Sequence, residues 1–319
     1  MIVRVIAIIT AIATGAIAAP VVSTAARKSP VSPVLRRYKG APFAFRVTEG
    51  SLGETAQPDL GPLLGVDLVA ALTSATLLSP FVTIIDKSIT MAAAGSETLG
   101  AAMQSNVIAA GANPLKFVSS PEYLYITGVY FATYACANTI ETIFQQNQRP
   151  TAIPKLVGTT TANIVTCVAK DAAFARMFGS KAAAAVPKRS LALFSARDGL
   201  TVFASFIFPP QLAQAMMNVG VNAGRALNSA QLACPVAVQL ISTPIHLLGL
   251  DFYNRAPGSI NLANGDISRL RACFKNYVPV AGARMIRVLP AFGIGGIGNR
   301  MLRSRGNEML RSINTVRDS

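Results

Sequence analysis

Residues 62–89 read PLLGVDLVAALTSATLLSPFVTIIDKSI. Only Asp67, Asp86 and Lys87 carry charge, and the last two stand at the end of the run. As a helix rising 1.5 Å per residue, the stretch spans about 42 Å, more than the roughly 30 Å of a bilayer's hydrocarbon. A soluble core helix of that length would need a polar face, and none can be drawn here. Further runs of the same kind follow, and the spacing predicts helices over 62–89, 121–144, 155–178, 190–218, 228–250 and 277–302. Each carries scattered Ser, Thr, Asn and Gly, which suit helices that pack closely in lipid or face water. The chain therefore reads as all-α, a polytopic membrane bundle of about six transmembrane helices whose first partner is the lipid bilayer.

Composition agrees. Of 319 residues, 51% are apolar and 13% are charged, about half the charged share of a soluble domain. The 29 Lys and Arg against 14 Asp and Glu leave a net charge of +15. The cations lie mostly between apolar runs and near the termini, with no basic helix face and no interleaved aromatics. They belong to membrane loops, where cations gather on one side, and not to a nucleic-acid surface. Cys136, Cys167, Cys234 and Cys273 are widely separated, so no CxxC pair signals zinc or redox chemistry. His246 is the only histidine. Without a second histidine or a GxSxG elbow there is no equipment for metal catalysis or hydrolysis, so the chain reads as a non-enzyme with no cofactor and no metal. The run GIGGIG at 293–298 imitates a phosphate loop but sits inside an apolar helix with no strand before it, where close packing accounts for the glycines.

Residues 1–60 form a basic segment. Arg4, Arg27, Lys28, Arg36, Arg37, Lys39 and Arg46 precede the first acid, Glu49. Arginine-bearing and acid-free sequence is the signature of mitochondrial import, which predicts a mitochondrial membrane, the inner one first. The apolar stretch 5–22 leaves two other readings open: a secretory signal, and hence a secretory-pathway membrane, or an extra helix.

Spacing suggests a threefold repeat. Asp86, Asp171 and Asp251 recur at intervals of about 80–85 residues near the ends of odd-numbered helices. Pro80 and Pro244 lie inside the first and fifth helices, where each removes a backbone hydrogen bond and kinks its helix. The expected units are helix pairs at 61–150, 151–225 and 226–305, with a basic tail at 306–319.

Three helix pairs with kinked odd helices resemble the mitochondrial carrier family over roughly residues 61–305. The last even helix is the most similar stretch, with Gly282, Arg287 and Pro290 in the family's Gly, Arg, Pro spacing. The fourth helix supplies Arg197 at a similar place, and the second keeps Gly128 and has Thr133 where the Arg would stand. The resemblance implies that Thr133, Arg197 and Arg287 line a central cavity and contact substrate. Departures are specific. After Pro80 the family's acid and cation positions hold Val82 and Ile85, after Pro244 they hold His246 and Gly249, and the middle repeat has Asn163, Val165 and Val168. An alternative ring of gate charges is available in Asp86, Lys87, Lys170, Asp171, Asp251 and Arg255.

Charges inside a membrane are costly and mark function. Arg197, Arg284 and Arg287 all stand within apolar helices and favour a small anionic solute. Two functions remain open: a carrier-like transporter of such a solute, or a degenerate carrier that acts as a scaffold for protein partners. They differ in the centre of the bundle. A transporter needs a water-filled funnel with the arginines in it; a scaffold needs only Phe and Leu.

Overall fold

The computed structural model describes residues 59–180, 185–254 and 265–317. The extra helix considered at 5–22 and the targeting segment lie outside the described residues. The described chain is all-α: α1 Leu60–Ala94, α2 Leu99–Ala112, α3 Pro114–Val118, α4 Pro121–Gln146, α5 Ala152–Phe178, α6 Lys188–Asn218, α7 Ala223–Asn254, α8 Gly265–Pro290, a π-helical segment Ala291–Gly298, and α9 Asn299–Arg317.

Among the described residues four spans are long and apolar enough to cross a membrane: α1, α6, α7 and the continuous run Cys273–Ile313 through α8, the π-helical segment and α9. The other two predicted spans, α4 and α5, are long helices too but fall below that apolarity, because Asn138, Glu141, Asn163, Lys170 and Asp171 stand in them. Of the roughly six transmembrane helices expected, four therefore qualify by length and apolarity among the described residues. Two elements lie outside the predicted spans. Residues 99–118 fold into α2 and α3. The basic tail expected at 306–319 is helical as far as Arg317.

The long helices pack in chain order with alternating direction. Asn138 near the end of α4 reaches Asp67 near the start of α1, and Tyr123 near the start of α4 reaches Thr76. α7 and α8 pair through Tyr277 and Leu240, and α8 and α9 return to α1 through Arg287 to Asp86 and Arg303 to Asp67. Apolar clusters fill the seams, among them Leu78, Val82, Ile126 and Phe174 between α1, α4 and α5. Another packs the small residues Ala213, Ala226 and Ala230 between α6 and α7, where small side chains let two backbones approach in lipid. The outer faces remain apolar: Val69, Leu72, Leu77 and Phe81 on α1 are all more than a third exposed, as is Val278 on α8. Water would not tolerate so continuous an apolar surface, whereas lipid does.

Element ends follow ordinary chemistry. Gly95, at φ 79°, closes α1 in the left-handed conformation that a residue without Cβ adopts freely, and the N–H of Ser96 reaches back to the Met91 carbonyl. Ser120 caps α4 by accepting from Tyr123 N, with Pro121 in the first helical position. Several hydroxyls inside the spans are satisfied locally. Ser79, Ser88, Thr166, Ser195 and Thr201 each donate to the carbonyl four residues back, which lets polar residues sit in apolar helices.

Pro80 and Pro244 stand inside α1 and α7, where the sequence places them. A proline cannot donate to the carbonyl four residues earlier, so the carbonyls of Thr76 and Leu240 are orphaned. A tyrosine serves each: Tyr123 Oη donates to Thr76 O at 3.0 Å, and Tyr277 Oη donates to Leu240 O at 2.9 Å. The last span has its own irregularity. Pro290 ends α8, and the glycine-rich π-helical turn follows, a geometry that is rare and frequently found at functional sites. At Gly295 a Cβ would collide with the Tyr134 hydroxyl, so only glycine allows this approach.

Tyr123→Phe is expected to lower stability by about 1–3 kcal/mol by leaving the Thr76 carbonyl unpaired. Pro80→Ala restores the intrahelical donor, so the double variant should lose less than the sum of the two single changes in a detergent thermal melt.

Candidate functional site

A lone carboxylate in a low-dielectric interior carries a heavy desolvation cost, so it is retained only where cations and hydrogen-bond donors surround it. α1, α5, α6, α7 and α8 each bring such groups to one level of the bundle. Arg287 Nη1 lies 2.6 Å from Asp86 Oδ1 and 2.8 Å from Oδ2. Lys170 Nζ bridges Asp86 at 2.7 Å and Asp171 at 2.5 Å. Arg197 Nη2 bridges Asp171 at 2.6 Å and Asp198 at 2.5 Å, and its Nη1 lies 3.0 Å from His246 Nδ1. Arginine only donates, so Nδ1 accepts and the histidine's ring proton sits on Nε2. Arg197 is 1% exposed and is the largest fully buried side chain of the described residues.

Beside this network lies a cavity of about 160 Å³, room for several waters or a small solute. Asp86, Lys170, Asp198, Gln239, Arg284 and Arg287 contribute its charged and amide wall, Thr201 and Ser205 its hydroxyls, and Val82, Ile126, Val129 and Pro235 its apolar part. Val82 precedes Asp86 on α1, Thr201 and Ser205 follow Asp198 on α6, and Gln239 precedes His246 on α7. Because these helices alternate in direction, all of these residues lie on the same side of the network. The ion pairs therefore form the floor of the cavity.

The charges do not balance. Lys170, Arg197, Arg284 and Arg287 face three carboxylates, Asp86, Asp171 and Asp198. Arg284 is the cation held by neutral groups: its Nη2 donates to Gln239 Oε1 at 2.9 Å and to Ser242 Oγ at 3.3 Å.

A second network closes the other end of α1. Arg303 Nε donates to Asp67 Oδ1 at 2.5 Å, Nη1 to Glu141 Oε2 at 2.6 Å and Nη2 to Thr142 Oγ1 at 2.8 Å. Lys155 joins Glu141 at 2.7 Å, and Asn138 and Asn299 exchange side-chain amide bonds at 3.0 Å. Asp67 and Asp86 are 19 residues apart on α1, which places the two networks about 28 Å apart along the helix.

Of the residues expected to bind solute, Arg284 and Arg287 line the cavity. Arg197 lies beneath the wall and engages carboxylates. Thr133 is corrected: its hydroxyl donates to Val129 O at 2.8 Å and accepts from Asn163 Nδ2 at 3.3 Å, and it does not line the cavity. A threonine at that place completes a bond within its own helix, which an arginine could not. Of the expected gate ring, Asp86, Lys170 and Asp171 do join in one network. Lys87 instead pairs with Glu122 at 2.9 Å. Asp251 is buried near the end of α7 and does not line the cavity. Arg255 lies outside the described residues. The recurring acids therefore do not form three equivalent corners. Sequence reading missed Asp67, Glu141 and Arg303, although a lone acid inside the opening apolar run was a usable signal. It also missed Gln239, Thr201 and Ser205, which nothing in a single sequence distinguishes from packing residues.

A polar, charge-lined cavity inside a bundle of helices suited to crossing a membrane defines a membrane protein with room for a small solute at its centre. The sequence model of the probable citrulline exporter family matches residues 70–307, and the chain belongs to that family. No curated protein matches it. The resemblance to the mitochondrial carrier family is thereby overturned. Its physical basis was thin, because helix pairs with proline kinks recur wherever membrane helices must bend, while the carrier's own gate residues are absent from this chain.

Arg303→Ala leaves Asp67, fully buried, without its cation, a change expected to cost about 3–5 kcal/mol. Adding Asp67→Asn should recover part of that loss, as read from melting in detergent. A double variant no better than the single would mean that Arg303 acts elsewhere.

Proposed function

We propose that this protein moves a small zwitterionic amino acid of the citrulline kind across a membrane through the central cavity. One observation carries the reading: the wall presents both signs of charge, with one guanidinium more than the carboxylates neutralise. Carboxylates in the same wall would repel a plain anion, so the anionic solute expected from the arginines gives way to a solute bearing both charges. The family's printed description, an exporter of citrulline, agrees with that chemistry. A scaffold reading predicted a centre of Phe and Leu; the charged and amide groups around the cavity support transport instead.

Transport needs two closures of comparable stability, so that each can open in turn. The floor network around Asp86 and Asp171 and the outer network around Asp67 and Arg303 suit those roles. The floor ties together five long helices, whereas the outer network ties α1, α4, α5 and α9 and leaves the α6–α7 hairpin outside it. A charged solute bound in the cavity beside the floor would perturb the pairs that Asp86 makes with Lys170 and Arg287, loosening the contacts that hold that end shut.

Purified protein in liposomes is expected to take up labelled citrulline, and Arg287→Ala, which removes a cavity cation and a partner of Asp86, is expected to lower the rate at least tenfold. Uptake unchanged in that variant would count against the cavity as the route.

The acid-free first 48 residues support delivery to a mitochondrial membrane, the inner one first. A chain lacking residues 1–48 is then expected to lose mitochondrial localisation in fractionated cells, and a truncated chain that still reaches the organelle would remove this part of the proposal.

A further inference from the structure

The cavity's charges differ in one respect. Asp86 is shared by Lys170 and Arg287, and Asp171 by Lys170 and Arg197. Three of these charged groups keep a buried polar atom without a hydrogen-bond partner, Arg197, Asp198 and Arg284, and of the three only Asp198 and Arg284 line the cavity. Asp198, 7% exposed, gives Oδ1 to Arg197 while its Oδ2 is buried with no hydrogen-bond partner among the described residues. Arg284, 4% exposed, uses Nη2 on Gln239 and Ser242 while its Nε–H is likewise buried with no partner. Both side chains line the cavity, one from α6 and the other from α8. A buried charged group with an unused donor or acceptor is costly, and such orphans call for a group that completes them.

We infer that Arg284 and Asp198 are the two recognition points for an α-amino acid: Arg284 takes the α-carboxylate through Nε–H, and Asp198 takes the α-ammonium through Oδ2. The inference rests on the cavity being the solute's site. One ligand end is anionic and accepts; the other is cationic and donates. These are the two chemistries the orphaned atoms lack. Charges already paired with each other hold the floor and are not spent on the ligand's backbone. The solute's neutral tail has its own partners. Thr201 Oγ1 donates to Arg197 O and Ser205 Oγ donates to Thr201 O, so both hydroxyl oxygens keep lone pairs that can accept from a ureido N–H.

The test is competition against labelled citrulline uptake in liposomes containing the full chain. Two analogues are used: citrulline without its α-carboxylate, and citrulline without its α-amino group. For the unaltered protein each analogue is expected to inhibit about tenfold to a hundredfold more weakly than citrulline, the range for losing a hydrogen bond to a charged group. In Arg284→Gln the penalty for removing the carboxylate should vanish while that for removing the amine persists; in Asp198→Asn the reverse is expected. Should either variant fail to fold, Arg284→Lys or Asp198→Glu, which keeps the charge but displaces the orphaned atom, is expected to shrink the same penalty, and an unchanged penalty there overturns the assignment. Analogues that compete as well as citrulline overturn the assignment, and so does a carboxylate penalty that survives in Arg284→Gln. Absence of citrulline uptake by the unaltered protein would instead overturn the proposed function, and this inference with it.

Discussion

The arrangement of the bundle depends on the impossibility of leaving a single charge in a low-dielectric interior. Asp86, Lys170, Asp171 and Arg197 come from three helices, and each would be strongly unfavourable alone. Joined head to tail at 2.5–2.7 Å, they become tolerable, and in doing so they set how α1, α5 and α6 approach one another. Arg287 and His246 extend the same requirement to α8 and α7. Such a network is poor evidence of net stability, since apolar residues of equal volume would often hold helices together as well. It does specify one register, because any slip along an axis leaves a carboxylate without a cation.

The same constraint explains where irregular backbone is found. Pro80 and Pro244 free carbonyls that lipid cannot satisfy, and Tyr123 and Tyr277 supply the missing donors from neighbouring helices. The breaks in the backbone ladder at Pro80 and Pro244 are therefore fastened by long-range bonds. The π-helical turn after Pro290 is fastened differently. Its glycines admit Tyr134, whose hydroxyl lies 3.4 Å from the Ala291 carbonyl. This turn stands between Arg287 in the floor and Arg303 in the outer network, so one continuous span carries a cation of each network on either side of its π-helical segment. A small change in winding there would move the two arginines relative to each other, which is a physical route for coupling the two ends.

Polarity is graded through the molecule. Exposed Leu, Val and Phe meet lipid on the outside, serines and threonines bonded to their own helices lie between, and charges face the cavity. Helices α4 and α5 fall below the apolarity of the other spans because they contribute much of the polar interior, including Lys170, Asp171 and most of the outer network. Screening by the surrounding helices makes that composition affordable in a membrane.

Much of this was written along the chain. Long apolar runs dictate helices in lipid, because every backbone group must be satisfied within its own segment, and the prolines mark where those helices bend. The rarity of intramembrane charge also singled out Arg284, Arg287, Asp86, Lys170 and Asp171 before any helix was placed. Partnership was not legible. That Lys87 joins Glu122, that Asp67 needs Arg303 over two hundred residues away, and that Thr133 turns to its own helix are outcomes of helix rotation and packing. Periodicity of acids suggested three equal corners, but spacing along a chain does not fix the azimuth at which a side chain leaves its helix. Only the assembled bundle decides which charges meet each other and which are left to meet a solute.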